Sequence, residues 1–125
     1  MSATILVAED ELDIRELIGF SLELSGYTVI QVPNGEAAVQ QTIEHLPDLI
    51  MLDVRMPKMT GFEACTQLKA NPVTRHIPVI FLSAKGQETE IRQGTELGAE
   101  AYILKPFAPD DLVEQVKSVL AKYGK

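Results

Sequence analysis

Leu49-Ile50-Met51-Leu52-Asp53 decides how this chain folds: four apolar residues in succession, then a carboxylate. A run without polar alternation suits a strand covered on both faces, as in a parallel sheet packed between helices. Three more runs share the pattern, and each stops on a different polar group. Thr4-Ile5-Leu6-Val7-Ala8 stops on Glu9-Asp10, Val79-Ile80-Phe81-Leu82 on Ser83, and Ala101-Tyr102-Ile103-Leu104 on Lys105. Ligands of such sheets sit beyond the carboxyl ends of the strands. If all four runs are parallel, three carboxylates, a hydroxyl and an ammonium converge on one patch. Such a patch suits a metal ion and a phosphoryl group.

Helical signals alternate with these runs. Ile14, Leu17, Ile18 and Leu24 share one face, and Gly26 offers a left-handed stop. Tyr27 to Val32 is the expected second strand, closed by Pro33-Asn34-Gly35. Residues 36–44 are helix formers, and Pro47 ends the connection to the Asp53 strand. Thr60-Gly61-Phe62-Glu63 has capping-box spacing, with Phe62, Cys65 and Leu68 on the inner face of the helix it opens. Asn71-Pro72 breaks that helix, and Pro78 precedes the next run. Residues 87–97 predict a weak helix, in which only Ile91 and Leu97 are large and apolar. Gly94 inside it costs about 1 kcal/mol relative to alanine, which makes this the expected mobile element.

The last helix is the most periodic, with Leu112, Val113, Val116, Val119, Leu120 and Tyr123 on one stripe. Pro109 fits its first turn, Asp110 and Asp111 its start, and Lys117, Lys122 and Lys125 its end, as the helix dipole favours. Five strands, each followed by a helix, predict an α/β fold with right-handed crossovers, a parallel sheet between two helical layers. No linker or repeat interrupts the chain, and it stops two residues after the final stripe. One domain over residues 1–125, with no second domain, is the expectation.

Composition narrows the function classes. The 125 residues are 46% hydrophobic and 23% charged, ordinary for a globular domain with a real core. The net charge of −7 argues against nucleic-acid binding. No apolar stretch reaches membrane-spanning length, so no membrane insertion is expected. Cys65 stands alone, which rules out an internal disulfide, and His45 and His76 are too isolated for a zinc ligand set. A cytoplasmic setting follows as the expectation.

Each strand-end residue has an ordinary use beside a chemical one. Asp53 would cap a turn or helix, but Thr60 already caps the next helix; otherwise its oxygen is a nucleophile toward phosphorus. Glu9 and Asp10 would cap the first helix, or with Asp53 form a set of hard oxygen ligands that suits magnesium better than calcium. Ser83 would cap the helix after it, or donate its hydroxyl to a phosphoryl oxygen. Lys105 would be a solvated surface lysine, or the counter-ion of Asp53 and then of the added phosphate. Its bond to Pro106 is open to either isomer.

The pieces Val7-Ala8-Glu9-Asp10-Glu11, Asp53-Val54-Arg55-Met56-Pro57 with Gly61 beyond, Ser83-Ala84, Gly98-Ala99 and Lys105-Pro106-Phe107 resemble a family in order and spacing. That family is the receiver (response regulator) domain of two-component signalling, with the chemotaxis regulators among its members. The resemblance covers essentially the whole chain. It implies a flavodoxin-like sheet in the order 2-1-3-4-5, the order found in the chemotaxis member. It also implies Asp53 as phospho-acceptor, Glu9, Asp10, Asp53 and the Arg55 backbone carbonyl as magnesium ligands (manganese being able to substitute), and Ser83 and Lys105 as contacts of the phosphoryl group. Tyr102 resembles the family's aromatic switch, although a half-buried strand tyrosine accounts for it equally. The implied partners are a histidine kinase or phosphotransfer protein as donor and a downstream protein. That protein would be met through residues 87–97, Tyr102 and the polar side of 109–123. The chain is expected to be a monomer or weak dimer.

Arg55 and Lys85 lie two residues after Asp53 and Ser83. Either they flank the phosphoryl group and prolong its life by hindering water, or they face solvent and surface acids. A different class, the haloacid-dehalogenase-type phosphatases, also uses a strand-end aspartate, magnesium, Ser/Thr and Lys. It needs a second acid where this chain has Arg55. The receiver half of a larger transcription factor or hybrid kinase is the remaining alternative.

Overall fold

The computed structural model describes residues 3–84 and 86–125; Lys85, one of the two expected lifetime-tuning cations, lies outside them. Strands and helices alternate throughout: β1 (Thr4–Ala8), α1 (Leu12–Leu24), β2 (Thr28–Val32), α2 (Gly35–His45), β3 (Leu49–Asp53), α3 (Gly61–Ala70), β4 (Val79–Ser83), α4 (Glu88–Glu96), β5 (Ala101–Leu104) and α5 (Pro109–Lys122). All strand pairs are parallel, in the order β2-β1-β3-β4-β5, as expected. The strand ends are in step: Ala8 lies opposite Leu52, Asp53 opposite Leu82, and Ser83 opposite Leu104. That register gathers the residues just past β1, β3, β4 and β5 at one edge of the sheet.

Alternation along the strands splits the core in two, because successive side chains point to opposite faces. Ile5, Val7, Leu49, Met51, Ile80 and Leu82 face α1 and α5. Leu6, Ala8, Ile50, Leu52, Val79 and Phe81 face α2 and α3. β3 is buried at every position, Asp53 included. Its apolar side chains each contribute about 1.5–3 kcal/mol on burial.

The caps follow the sequence closely. Thr60 Oγ1 accepts from Glu63 N at 3.1 Å and Glu63 Oε1 from Thr60 N at 3.0 Å, completing the capping box. Asn34 Oδ1 caps α2 by accepting from Ala37 N at 2.8 Å. Gly26 adopts the left-handed conformation expected of it, with φ 97°. The Lys105-Pro106 bond, open from sequence, is cis.

Two helices present a different face from the one their apolar residues suggest. In α1, Ile18, Gly19 and Leu22 are buried, whereas Leu17 and Leu24 are 44% and 72% exposed. Gly19 takes an inner position because Gln31 packs over it: a Cβ there would lie 2.3 Å from Gln31 Nε2. In α4 the buried residues are Glu90 and Gly94, while Ile91 and Leu97 are only half-buried. A Cβ on Gly94 would come within 3.0 Å of the Phe81 ring and 3.3 Å of the Tyr102 ring. The glycine thus lets this helix lie close against β4 and β5. The C-terminal turn of α4 also meets α3, where the buried Cys65 thiol lies 3.9 Å from the Leu97 carbonyl oxygen.

Candidate functional site

The register brings Glu9, Asp53, Ser83 and Lys105 to one end of the sheet, with Asp10 beside them on the loop into α1. Glu9 is fully buried, Asp53 and Ser83 nearly so, and Asp10 is exposed. Lys105 Nζ lies 2.6 Å from Glu9 Oε1 and 3.3 Å from Asp53 Oδ1, so one ammonium serves two carboxylates. Pairing is what makes buried charge tolerable here. The other oxygen of Glu9 accepts from Glu11 N at 3.1 Å, and Arg15 Nη1 donates to the Glu9 carbonyl at 2.8 Å.

Electrostatics follow from this crowding. Burial pushes the Asp53 carboxyl up, the Glu9 charge adds to that, and Lys105 offsets part of it, leaving the group at about 7. For Lys105, burial acts downward, but the hydrogen bond to Glu9 and the charge of Asp53 outweigh it, and its pKa is raised. Two buried carboxylates share the one Lys105 ammonium, which leaves an excess of negative charge when both are ionised. A further cation would relieve it.

The donor set fits a hard divalent ion. Glu9, Asp10 and Asp53 each offer an oxygen, and these oxygens lie within 4.8 Å of one another. Glu9 Oε1 is buried and, its ion pair with Lys105 apart, no donor among the described residues is aligned on it as a hydrogen bond. Magnesium takes one or two carboxylates and completes its octahedron with water and phosphate oxygens. Behind Asp53 the loop returns closely: Gly61 N donates to the Val54 carbonyl at 2.9 Å, and a Cβ on Gly61 would lie 2.2 Å from the Asp53 carbonyl oxygen.

Ser83 and Tyr102 meet a residue that sequence reasoning missed. Both hydroxyls donate to Glu90 Oε1, from β4 and β5 respectively. Glu90 Oε2 faces Arg55 Nη2 at 3.8 Å, so the Arg55 side chain, 65% exposed, reaches toward α4. Burial and the bond to Glu90 push the Tyr102 phenol up to about 12. Its ring lies 6.2 Å from that of Phe81, which in turn meets Phe62 edge-on at 4.9 Å. The only hint in the sequence was indirect. A helix with no continuous apolar stripe must turn something else inward, and Glu90 and Gly94 are one turn apart on the same face.

Known proteins resemble this chain in sequence and in fold. The phosphate regulon transcriptional regulatory protein PhoB of Pseudomonas aeruginosa is 43% identical over 121 residues, 97% of this chain but 53% of the relative. The chain thus spans about half the length of that curated relative. The chemotaxis protein CheY4 of Vibrio cholerae superimposes with a TM-score of 0.90 at 28% identity, covering 95% of this chain and 99% of its own. The receiver domain of the sensor histidine kinase PA1611 from Pseudomonas aeruginosa gives a TM-score of 0.89 at 26% identity, covering 97% and 99%. It carries a magnesium ion coordinated in its active-site cleft. Residues 5–117 match the response regulator receiver domain, and the chain belongs to that family.

Proposed function

We propose that Asp53 is the phospho-acceptor through which this receiver domain acts as a phosphorylation-dependent switch. The observation that carries the reading is the buried Asp53 carboxylate, held 3.3 Å from Lys105 Nζ beside the oxygens of Glu9 and Asp10. Receiver domains work with histidine kinases, so the donor is a phosphohistidine. An Asp53 oxygen attacks its phosphorus; the new O–P bond forms as the P–N bond breaks, and the imidazole nitrogen keeps the electron pair and takes a proton from water. Glu9, Asp10, Asp53 and the Arg55 backbone carbonyl would hold magnesium, or manganese in its place. A bound ion would supply the positive charge that lets two anions meet. Lys105 pairs with the added charge. The Ser83 hydroxyl turns to a phosphoryl oxygen, and Tyr102 follows it.

The signal leaves through α4, β5 and α5 to a partner protein. Arg55 is the candidate for tuning its lifetime, and it would have to leave Glu90 to shield the phosphorus from water. Equal rates of phosphate release from wild type and Arg55→Asn would remove that role. The central claim is tested by incubation with acetyl phosphate and magnesium, followed by intact mass measurement. The expected gain is about 80 Da, one phosphoryl group, in wild type and not in Asp53→Asn. No gain in wild type with a competent donor sinks it.

A second reading is favoured by the length of the curated relative, of which this chain covers 53%. In it, the chain is the receiver half of a longer transcriptional regulator. Sequencing the gene past codon 125 decides: a frame that continues into a DNA-binding domain supports it, and an immediate stop codon overturns it.

A further inference from the structure

We propose that Glu90 is a positioning residue that holds the Ser83 hydroxyl away from the phosphorylation site, so that the phosphoryl group must take this hydroxyl from it. The proposal rests on Asp53 as phospho-acceptor. Ser83 has one hydroxyl proton to donate. In the resting structure it goes to Glu90 Oε1. A phosphoryl oxygen on Asp53 needs that same proton, so the two anions compete for one donor.

Glu90 is built into place for this role. It is 9% exposed, and it faces Arg55 across 3.8 Å as well as receiving the two hydroxyls. Gly94, one turn later, sets α4 against the rings of Phe81 and Tyr102, and so delivers the carboxylate to the strands. A cleft of about 340 Å³, lined by Arg55, Thr60, Gln87 and Glu90 among others, adjoins it and gives the carboxylate room to withdraw. When Ser83 leaves and Tyr102 follows it, Glu90 keeps, among the described residues, its ion pair with Arg55. A buried carboxylate that has lost a donor is less well satisfied, and the hold of α4 on the sheet weakens. The chemistry at Asp53 is thereby coupled to a helix without a direct contact between them.

A purely structural role for Glu90, as a tether for α4, makes a different prediction, and a double-mutant cycle separates the two. The measurement is calorimetric titration of the full chain, in magnesium, with beryllofluoride, which mimics a phosphoryl group on a carboxylate. Glu90→Ala removes the carboxylate that competes for the Ser83 hydroxyl and is expected to bind beryllofluoride about tenfold more tightly than wild type, equal to about 1.4 kcal/mol. In the Ser83→Ala background the same change is expected to add nothing. A tether predicts unchanged or weaker binding by Glu90→Ala, and that result overturns the proposal. So does a gain that persists without Ser83. Should Glu90→Ala fail to fold, Glu90→Gln keeps an acceptor but lowers its strength, with about threefold tighter binding expected; no change overturns the proposal. A wild type that fails to bind beryllofluoride overturns the phospho-acceptor assignment and this proposal with it.

Discussion

Two helices pack against the edge strand β5 and are held by opposite means. α5 buries Leu112, Val113, Val116, Val119 and Leu120, a continuous apolar stripe. α4 buries only Glu90 and Gly94, a carboxylate with its hydrogen bonds and a residue without a side chain. Apolar burial is indifferent to what happens at Asp53. The hydrogen bonds of Glu90 are not, because one of their donors, Ser83, closes the β4 strand beside Asp53. A switch needs both kinds of element: one that stays put and one whose anchorage the chemistry can alter.

The contrast is broken most severely from the α5 side. Leu120→Ala leaves a cavity in the core and is expected to lower global stability by about 2–5 kcal/mol, read by denaturant melting. Phosphoryl uptake under native conditions should stay at the wild-type rate; a parallel loss would mean that α5 is not a passive support.

The strand-end cluster comes next. Asp53 has its carboxyl raised from an ordinary value of 3.8 to about 7. Between those values the native state binds more protons than the unfolded state, so stability falls as pH rises through that window. In a metal chelator, Asp53→Asn should therefore gain little over wild type near pH 4. The gain should grow to a plateau above pH 7, on the order of 1–2 kcal/mol once solvent screening is allowed for. A gain independent of pH would refute the charge crowding. Added magnesium should shrink it by stabilising the wild type.

Gly94→Ala sharpens the comparison on the α4 side. The new methyl presses on Phe81 and Tyr102 but improves helix propensity by about 1 kcal/mol. The expected net cost is about 1 kcal/mol or less, concentrated in α4. Amide exchange should quicken over 88–96 and not over 109–122; uniform quickening would deny that α4 opens alone. The smallest effect belongs to α3. Thr60→Ala removes half of a capping box and should cost about 1 kcal/mol at most, with exchange in α4 unchanged.

The strands were legible because their apolar runs have no alternative use in a domain of this size, and their parallel register carried the site with them. Glu9, Asp53, Ser83 and Lys105 were each ambiguous alone, and became a set only once the runs were placed side by side. α1 was misread for a local reason: Leu24 fits a helical stripe, yet the turn at Gly26 comes so soon after it that the side chain clears the sheet, while Gly19 yields its space to Gln31. Glu90 was missed because an acid on a polar helix reads as solvated, and nothing local announces two hydroxyls from separate strands.

The thiol of Cys65 offers a practical use of this architecture. It is the single cysteine of the chain, is buried under the C-terminal turn of α4, and has its pKa raised by that burial. A thiol-modifying reagent therefore reacts only when the packing around the thiol opens, the Leu97 contact included, at a rate set by the open fraction. The protein carries its own stopwatch for opening where α3 meets the end of α4, with no label to introduce and no second sulfhydryl to blur the reading.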